Sequence, residues 1–355
     1  MRISENKEIK SILVIRLSSM GDVILTTEFV RQLKKRFPQT RIDFLTADTF
    51  SEIYKFSPYL NKVIEYDKKA SSSQIKTLKT ETAADIPGVK YDIIIDLQRN
   101  LRSAIFRRGL GRHILKVYKN RLNKFLLVKF KKNRYKEVVP IADIYRRTAE
   151  SVGVEDDNFG LEIRLYSEKD LDIYPPFNRV PASSENLTVG IAPAANHKTK
   201  RLPTATYIEI ITLMSEKYNC EFVFFGGPGD EPTVSEITEG LPVNYQDFSG
   251  TKSILKTSEE IDKCDLLITN DTGVLHIGAA RAVPTVAIFG STVPEFGFAP
   301  RRTACRIVQK DLKCRPCTHI GRAECPQKHF DCMNEITAEE VVSASEELTS
   351  KNCQL

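Results

Sequence analysis

Leu266 to Gly290 reads LLITNDTGVLHIGAARAVPTVAIFG, an apolar strand, a polar turn, a short helix and a second apolar strand. Its Thr272-Gly273 start leaves the helix's first backbone N–H groups open to a ligand. Those groups have no intrahelical partner and carry the positive end of the helix dipole, so a diphosphate suits the place. The alternative is that Asp271 or Thr272 simply caps a surface helix. Near the start, SILVIRL runs into SSMGD and sets Ser18, Ser19, Gly21 and Asp22 at the carboxyl end of the first strand. Gly21 permits close backbone approach, and a carboxylate at Asp22 can take a proton from an incoming hydroxyl. Asp22 as an N-terminal helix residue favoured by the dipole is the competing reading. The motif G-x-G-x-x-G is absent there, which argues against a nicotinamide enzyme.

AANHKTKRLP places His197, Lys198, Lys200 and Arg201 after another strand, where they can meet a diphosphate leaving group. Sugar transfer from a nucleotide diphosphate needs a base for the acceptor hydroxyl and preorganised positive charge for the departing phosphates. The two halves of the chain supply one each. FFGGPGDE is a Gly-rich edge that either accommodates a nucleoside or is an ordinary loop. Cys314, Cys317, Cys325 and Cys332 give C-x2-C-x7-C-x6-C, a spacing that can close a structural zinc or iron site or else pack a loop as reduced thiols.

The charge is distributed unevenly. From Leu97 to Lys136 there are 14 Lys or Arg and no acid, so the remaining 38 basic and 46 acidic residues leave the rest of the chain net negative. Arg107, Arg108, Arg112, Lys116, Lys119, Lys124, Lys131 and Lys132 are interleaved with Leu, Ile, Phe and Val. That mixture fits a basic amphipathic surface on anionic lipid headgroups. A solvated basic helix and a nucleic-acid surface are the alternatives, and no nucleic-acid module is recognisable.

At 355 residues two domains are expected. Before Arg16 the only apolar run is Ser11 to Ile15, too short for a signal-peptide core or a membrane span, which predicts a cytoplasmic protein. Strands are expected at Ser11 to Leu17, Arg41 to Thr46, Lys62 to Tyr66 and Tyr91 to Leu97, with helices at Asp22 to Arg36 and Ile141 to Val152. A Pro- and Ser-rich linker at 166–186 separates this first domain, 1–165, from a second at 187–355. There, strands are expected at Leu187 to Pro193 and Glu221 to Gly227, and helices at Thr204 to Tyr218, Ser253 to Lys263 and Ala338 to Leu348. The pattern predicts two doubly wound α/β domains facing each other across a cleft, with ligands beyond the carboxyl ends of the strands.

RLSSMGDVILT, YDIIIDLQRNLRS, TKRLP and ITNDTGVLHIGAARAVPTVAIFGSTVPEFGFAP followed by CRPC together resemble glycosyltransferase family 9, the ADP-heptose lipopolysaccharide heptosyltransferases, over nearly the whole chain. The resemblance implies a GT-B fold and an inverting transfer, without a catalytic cofactor, of heptose onto a lipid A-linked core sugar. It implies a peripheral enzyme at the inner face of the cytoplasmic membrane, with no nucleic-acid partner. The family's base falls on Asp22, its phosphate-binding lysine on Lys200, and its D-T-G-x-x-H on Asp271, Thr272, Gly273 and His276. Ser19 and Gly21 join the donor side, while Arg16, Asn100 and Arg102 are acceptor-side expectations. Leu202 stands where the family often has Trp, which separates heptose itself from the broader transferase class. The same fold acting on another nucleotide sugar or surface glycan is one alternative. A non-enzymatic, metal-stabilised polyanion-binding protein is another, and it leaves the Asp22 and Asp271 loops without a use.

Overall fold

A computed structural model describes residues 8–86, 88–169 and 186–350 of the chain. The fold divides into two units, Met1–Lys119 with Ile141–Ile173 and Asn120–Pro140 with Tyr174–Leu355. This departs from the expected boundary in one respect, because the segment Asn120–Pro140 packs with the second unit. Most of the expected 166–186 linker lies outside the described residues.

Unit 1 is a five-stranded parallel sheet in the order β3-β2-β1-β4-β5. Its strands are β1 (Ser11–Ile15), β2 (Arg41–Ala47), β3 (Lys62–Tyr66), β4 (Tyr91–Asp96) and β5 (Gly111–Lys116). The run SILVI is buried at every position, as a central parallel strand covered on both faces must be. By contrast β5 alternates half-buried and exposed residues, the mark of an edge. The helices of this unit are α1 (Met20–Ile24), α2 (Thr27–Arg36), α3 (Ser72–Ala84), α4 (Leu101–Arg107) and, after the excursion that carries α5 (Arg121–Phe130) into unit 2, α6 (Ile141–Arg147).

The single helix expected from Asp22 to Arg36 is broken at Leu25 and Thr26. Two consecutive threonines cause it: Thr26 Oγ1 donates to the Val23 carbonyl at 2.6 Å and Thr27 Oγ1 to that of Ile24 at 2.8 Å, competing with helical amides. Likewise the helix expected over Ile141 to Val152 stops at Arg147 and resumes as a 3-10 turn at Glu150–Val152. Burial of α2 exceeds its apolar stripe. Arg31, only 2% exposed, is held by Asp157 at 2.8 Å and Glu162 at 3.5 Å, so even its polar side is covered.

Unit 2 contains a six-stranded parallel sheet in the order β11-β10-β9-β6-β7-β8. Its elements are β6 (Asn186–Ala192), α7 (Thr204–Lys217), β7 (Asn219–Phe225), α8 (Glu231–Thr238), β8 (Tyr245–Phe248), α9 (Ile254–Ile261), β9 (Leu266–Asn270), α10 (Gly273–Ala280), β10 (Thr285–Phe289), β11 (Cys305–Gln309), α11 (Asp331–Asn334) and α12 (Ala338–Thr349). Its core joins Ile191, Phe222, Ile268 and Ile288 of the sheet to Tyr207, Ile211, Val341 and Leu348 of α7 and α12. Among the described residues, no helix is long and apolar enough to cross a membrane.

Candidate active site

Both sheets reverse their winding direction beside their first strand, between β1 and β4 in unit 1 and between β6 and β9 in unit 2. Loops leaving the carboxyl ends of such strands diverge and open a crevice, and the expected site residues sit at these two points.

In unit 1 the gap is bridged by Gln98, whose Oε1 accepts from the backbone N–H of Leu17 at 2.9 Å and of Ser18 at 3.2 Å. Buried Arg16 donates through Nη1 to the Leu97 carbonyl at 2.8 Å and reaches Asp22 Oδ1 with Nη2 at 2.7 Å. Tyr145, delivered by α6, donates its hydroxyl to the same Oδ1 at 3.2 Å, and its ring lies 5.5 Å from the Arg16 guanidinium. The other oxygen, Oδ2, accepts from Ser19 N–H at 3.1 Å and from Ser19 Oγ at 2.9 Å. Burial works to raise the Asp22 pKa, but the Arg16 charge and the Ser19 hydrogen bonds outweigh it and hold the carboxyl below its ordinary range. The side chain still keeps 18% of its surface exposed, so an ionised carboxylate remains within reach of a ligand.

Beside it, fully buried Asp96 ties the end of β4 to α4. It accepts from Arg99 N–H at 2.7 Å, Ser103 Oγ at 2.9 Å and Arg107 Nε at 2.9 Å. Arg99 takes a positive φ of 43° to make this turn. Asn100 caps α4 through its side-chain oxygen, which accepts from Ser103 N–H at 3.0 Å, and Arg102 is exposed in the first turn. Of the three expected acceptor residues, Arg16 is therefore engaged with Asp22, Asn100 serves as a cap and Arg102 faces solvent.

In unit 2, Asn270 ends β9 by donating Nδ2 to the Pro193 carbonyl at 2.7 Å and accepting from Leu202 N–H at 3.3 Å. The His197 to Leu202 loop is thereby fixed against β9. Lys200 Nζ lies 2.7 Å from Asp271 Oδ2 and donates to the Asp271 carbonyl at 2.8 Å. An ammonium has three N–H donors, so one remains for a ligand. Thr292 Oγ1 donates to the same Asp271 oxygen at 2.6 Å, completing the mount. Thr272 is the N-cap of α10, and its buried hydroxyl has no hydrogen-bond partner among the described residues. Thr272, Gly273 and Val274 are half-buried while α10 from Leu275 onward, including His276, is buried. The accessible part of this helix is thus its amide-bearing start.

The Cys-rich segment braces this loop. Thr199 and Arg322 exchange backbone and hydroxyl hydrogen bonds at 2.9 and 3.2 Å, and Thr199 Oγ1 lies 3.0 Å from Ser291 Oγ. Arg315 of the C-R-P-C run donates to the carbonyls of Gly290 at 2.5 Å, Phe289 at 3.1 Å and Thr292 at 2.8 Å, and also to Lys310. The four thiols of the expected metal set are electrostatic neighbours, Cys332 facing Cys314, Cys317 and Cys325. Among the described residues, no three of these four sulfurs lie within 4.8 Å of one another, whereas Glu28, Asp156 and Asp157 do gather ligand atoms within that distance. Burial, with the neighbouring Cys314, Cys317 and Cys325, pushes the Cys332 thiol up to about 12. The same spacing places Arg315 and the 317–322 turn.

Gln98, Tyr145, Asn270, Thr292 and Arg315 were not singled out by sequence reasoning. Gln98, Asn270, Thr292 and Arg315 stand inside stretches quoted above, but Tyr145 is 123 positions from Asp22 and no local spacing connects them.

Two parallel, doubly wound units of this kind define the GT-B architecture of glycosyltransferases. Residues 81–328 match the model of glycosyltransferase family 9 (heptosyltransferase), and the chain belongs to that family. It is similar to lipooligosaccharide heptosyltransferase 2 of Campylobacter jejuni, with 26% identity across 95% of this chain and 97% of that protein. Among solved structures it resembles a family 9 glycosyltransferase from Veillonella parvula (TM-score 0.76, 24% identity, 97% and 98% of the two chains). It also resembles the Escherichia coli ADP-heptose lipopolysaccharide heptosyltransferase II (TM-score 0.69, 20% identity, 96% and 98%).

Proposed function

We propose that this glycosyltransferase transfers heptose from ADP-heptose, with inversion and without a catalytic metal, to a sugar of a lipid A-linked core. The observation that carries the reading is the Asp22 carboxylate, kept ionised by Arg16 yet partly exposed at the unit 1 switch point. The acceptor hydroxyl attacks the anomeric carbon and passes its proton to Asp22. The bond to the β-phosphate oxygen breaks, and the charge released on ADP is met by Lys200 and by the N–H groups after Thr272. Asp271 holds Lys200 for this task. Ser19, Gly21 and His276 complete the donor side, and Arg102, with Asn100 and Arg16 near it in sequence or fold, serves the acceptor. The names of the C. jejuni and E. coli relatives support heptose and a lipid-linked acceptor. Such an acceptor would bring the enzyme to the inner face of the cytoplasmic membrane.

Asp22→Asn should lower transfer by roughly 10²–10⁴-fold while ADP affinity, measured by calorimetry, stays nearly unchanged. Unaltered transfer would remove Asp22 as the base. Competition of ADP against UDP and GDP tests the donor: comparable inhibition by all three would favour another nucleotide sugar.

A further inference from the structure

Thirteen large apolar side chains stand exposed among the described residues, and eight of them fall between Leu101 and Val138. That clustering coincides with the stretch of 14 basic and no acidic residues. In unit 2 both features meet on α5, where Leu122 is 65% exposed, Phe125 51% and Phe130 53%. With successive residues about 100° apart, these three fall within an arc of roughly 140° on one side of the helix. The opposite side is already committed. Leu127 is buried and, with Val128, packs against Val293, Phe296 and Phe298, while Lys131 Nζ donates to the Pro316 carbonyl at 2.6 Å. The helix is anchored by one face and presents the other.

We propose that this outer face docks on an anionic lipid surface, with Leu122, Phe125 and Phe130 entering the boundary between headgroups and acyl chains. Exposed Arg121, Lys129, Lys132 and Lys136 surround them and meet the lipid phosphates. Lys129 lies 5.6 and 5.7 Å from the Phe125 and Phe130 rings, so its stem covers apolar surface while the ammonium extends toward water or headgroups. Charge complementarity selects an anionic partner, and the apolar arc selects lipid. The two phenylalanines pack edge to face at 5.8 Å with Lys129 beside both rings, rather than as the parallel platforms on which successive nucleic-acid bases stack.

The proposal deepens the lipid-linked acceptor reading by naming the surface that reaches the bilayer, and its test does not require turnover. The full chain is sedimented with vesicles of phosphatidylcholine alone and with vesicles that also contain phosphatidylglycerol. Binding is expected only to the second, and the triple substitution Leu122→Gln, Phe125→Gln, Phe130→Gln, which conserves charge, should weaken it roughly tenfold or more. Thermal unfolding of the variant should match the wild type; if it does not, Leu122→Gln alone replaces it and should still reduce binding several-fold. Equal binding to both vesicles, unchanged binding of the variant, or displacement of vesicles by duplex DNA would each overturn the proposal. Failure of both proteins to glycosylate a delipidated acceptor would instead count against the functional reading and leave the docking result standing.

Discussion

The carboxylate of Asp22 accepts four contacts, two per oxygen, from Arg16, Tyr145 and both donors of Ser19. A carboxylate so supplied has its lone pairs occupied, and protonation by a substrate must displace one of these donors. Ser19 Oγ is the replaceable one, because it belongs to the most exposed residue of the set. Arg16 sets the electrostatics. Arg16→Gln removes the charge that outweighs burial, so the Asp22 pKa should rise and the acid limb of kcat/KM should move to higher pH. Stability follows the same linkage. In the wild type the depressed pKa contributes stability above the ordinary carboxylate pKa, which is lost as pH falls through the lowered value. In Arg16→Gln that contribution is gone at neutral pH and a buried partner is left uncompensated, at a cost of about 3–5 kcal/mol. The gap in Tm between the two proteins should therefore narrow on acidification. A gap independent of pH would show that Arg16 acts by packing alone.

The elements around each switch point place side chains by fixing the loops after β1 and β6, and the second loop is braced by a segment whose cysteines drew attention for a different chemistry. Gly321 shows how tight the brace is. It has φ +121°, and a Cβ there would stand 2.5 Å from His197 Cβ and Cγ, just before the Lys198–Lys200 turn. Gly321→Ala should cost about 1–3 kcal/mol of stability and raise donor KM several-fold with a smaller change in kcat, because the displaced loop carries Lys200. A stability loss with donor KM unchanged would limit the segment to a role in folding. Sequence reading reached the apolar central strands because burial on both faces leaves a continuous hydrophobic run, as in SILVI and YDIIID. It passed over β5, β8 and β11, edge strands that are half exposed and interrupted by charge or polarity. It also passed over α3, although Ser71 and Gln74 form a capping box there, because the following turns have little apolar content.

At the scale of the whole molecule the chain leaves unit 1 after Lys119, contributes Asn120–Pro140 to unit 2 and returns at Ile141. Within the basic stretch, α4 and β5 thus belong to a different body from α5, a division that composition cannot reveal because the charge is uniform across it. What separates them is the burial of Leu127 and Val128 against Val293 and Phe296, a contact between residues far apart in sequence. The return segment carries Tyr145 to Asp22, so the excursion is bounded by a residue of the candidate site. This assignment has a consequence for local stability, because amides exchange with the cooperative body that holds them. Ile288→Ala removes a fully buried side chain from β10 and should destabilise unit 2 by about 2–5 kcal/mol. Hydrogen exchange in the full-length variant should then accelerate in α5 together with β9 and α12. The neighbouring α4 and β5, joined to α5 by only a few residues, should keep their wild-type protection. If α5 instead keeps pace with β5, the segment belongs to the first unit, and the surface that presents Leu122, Phe125 and Phe130 must be reassigned with it.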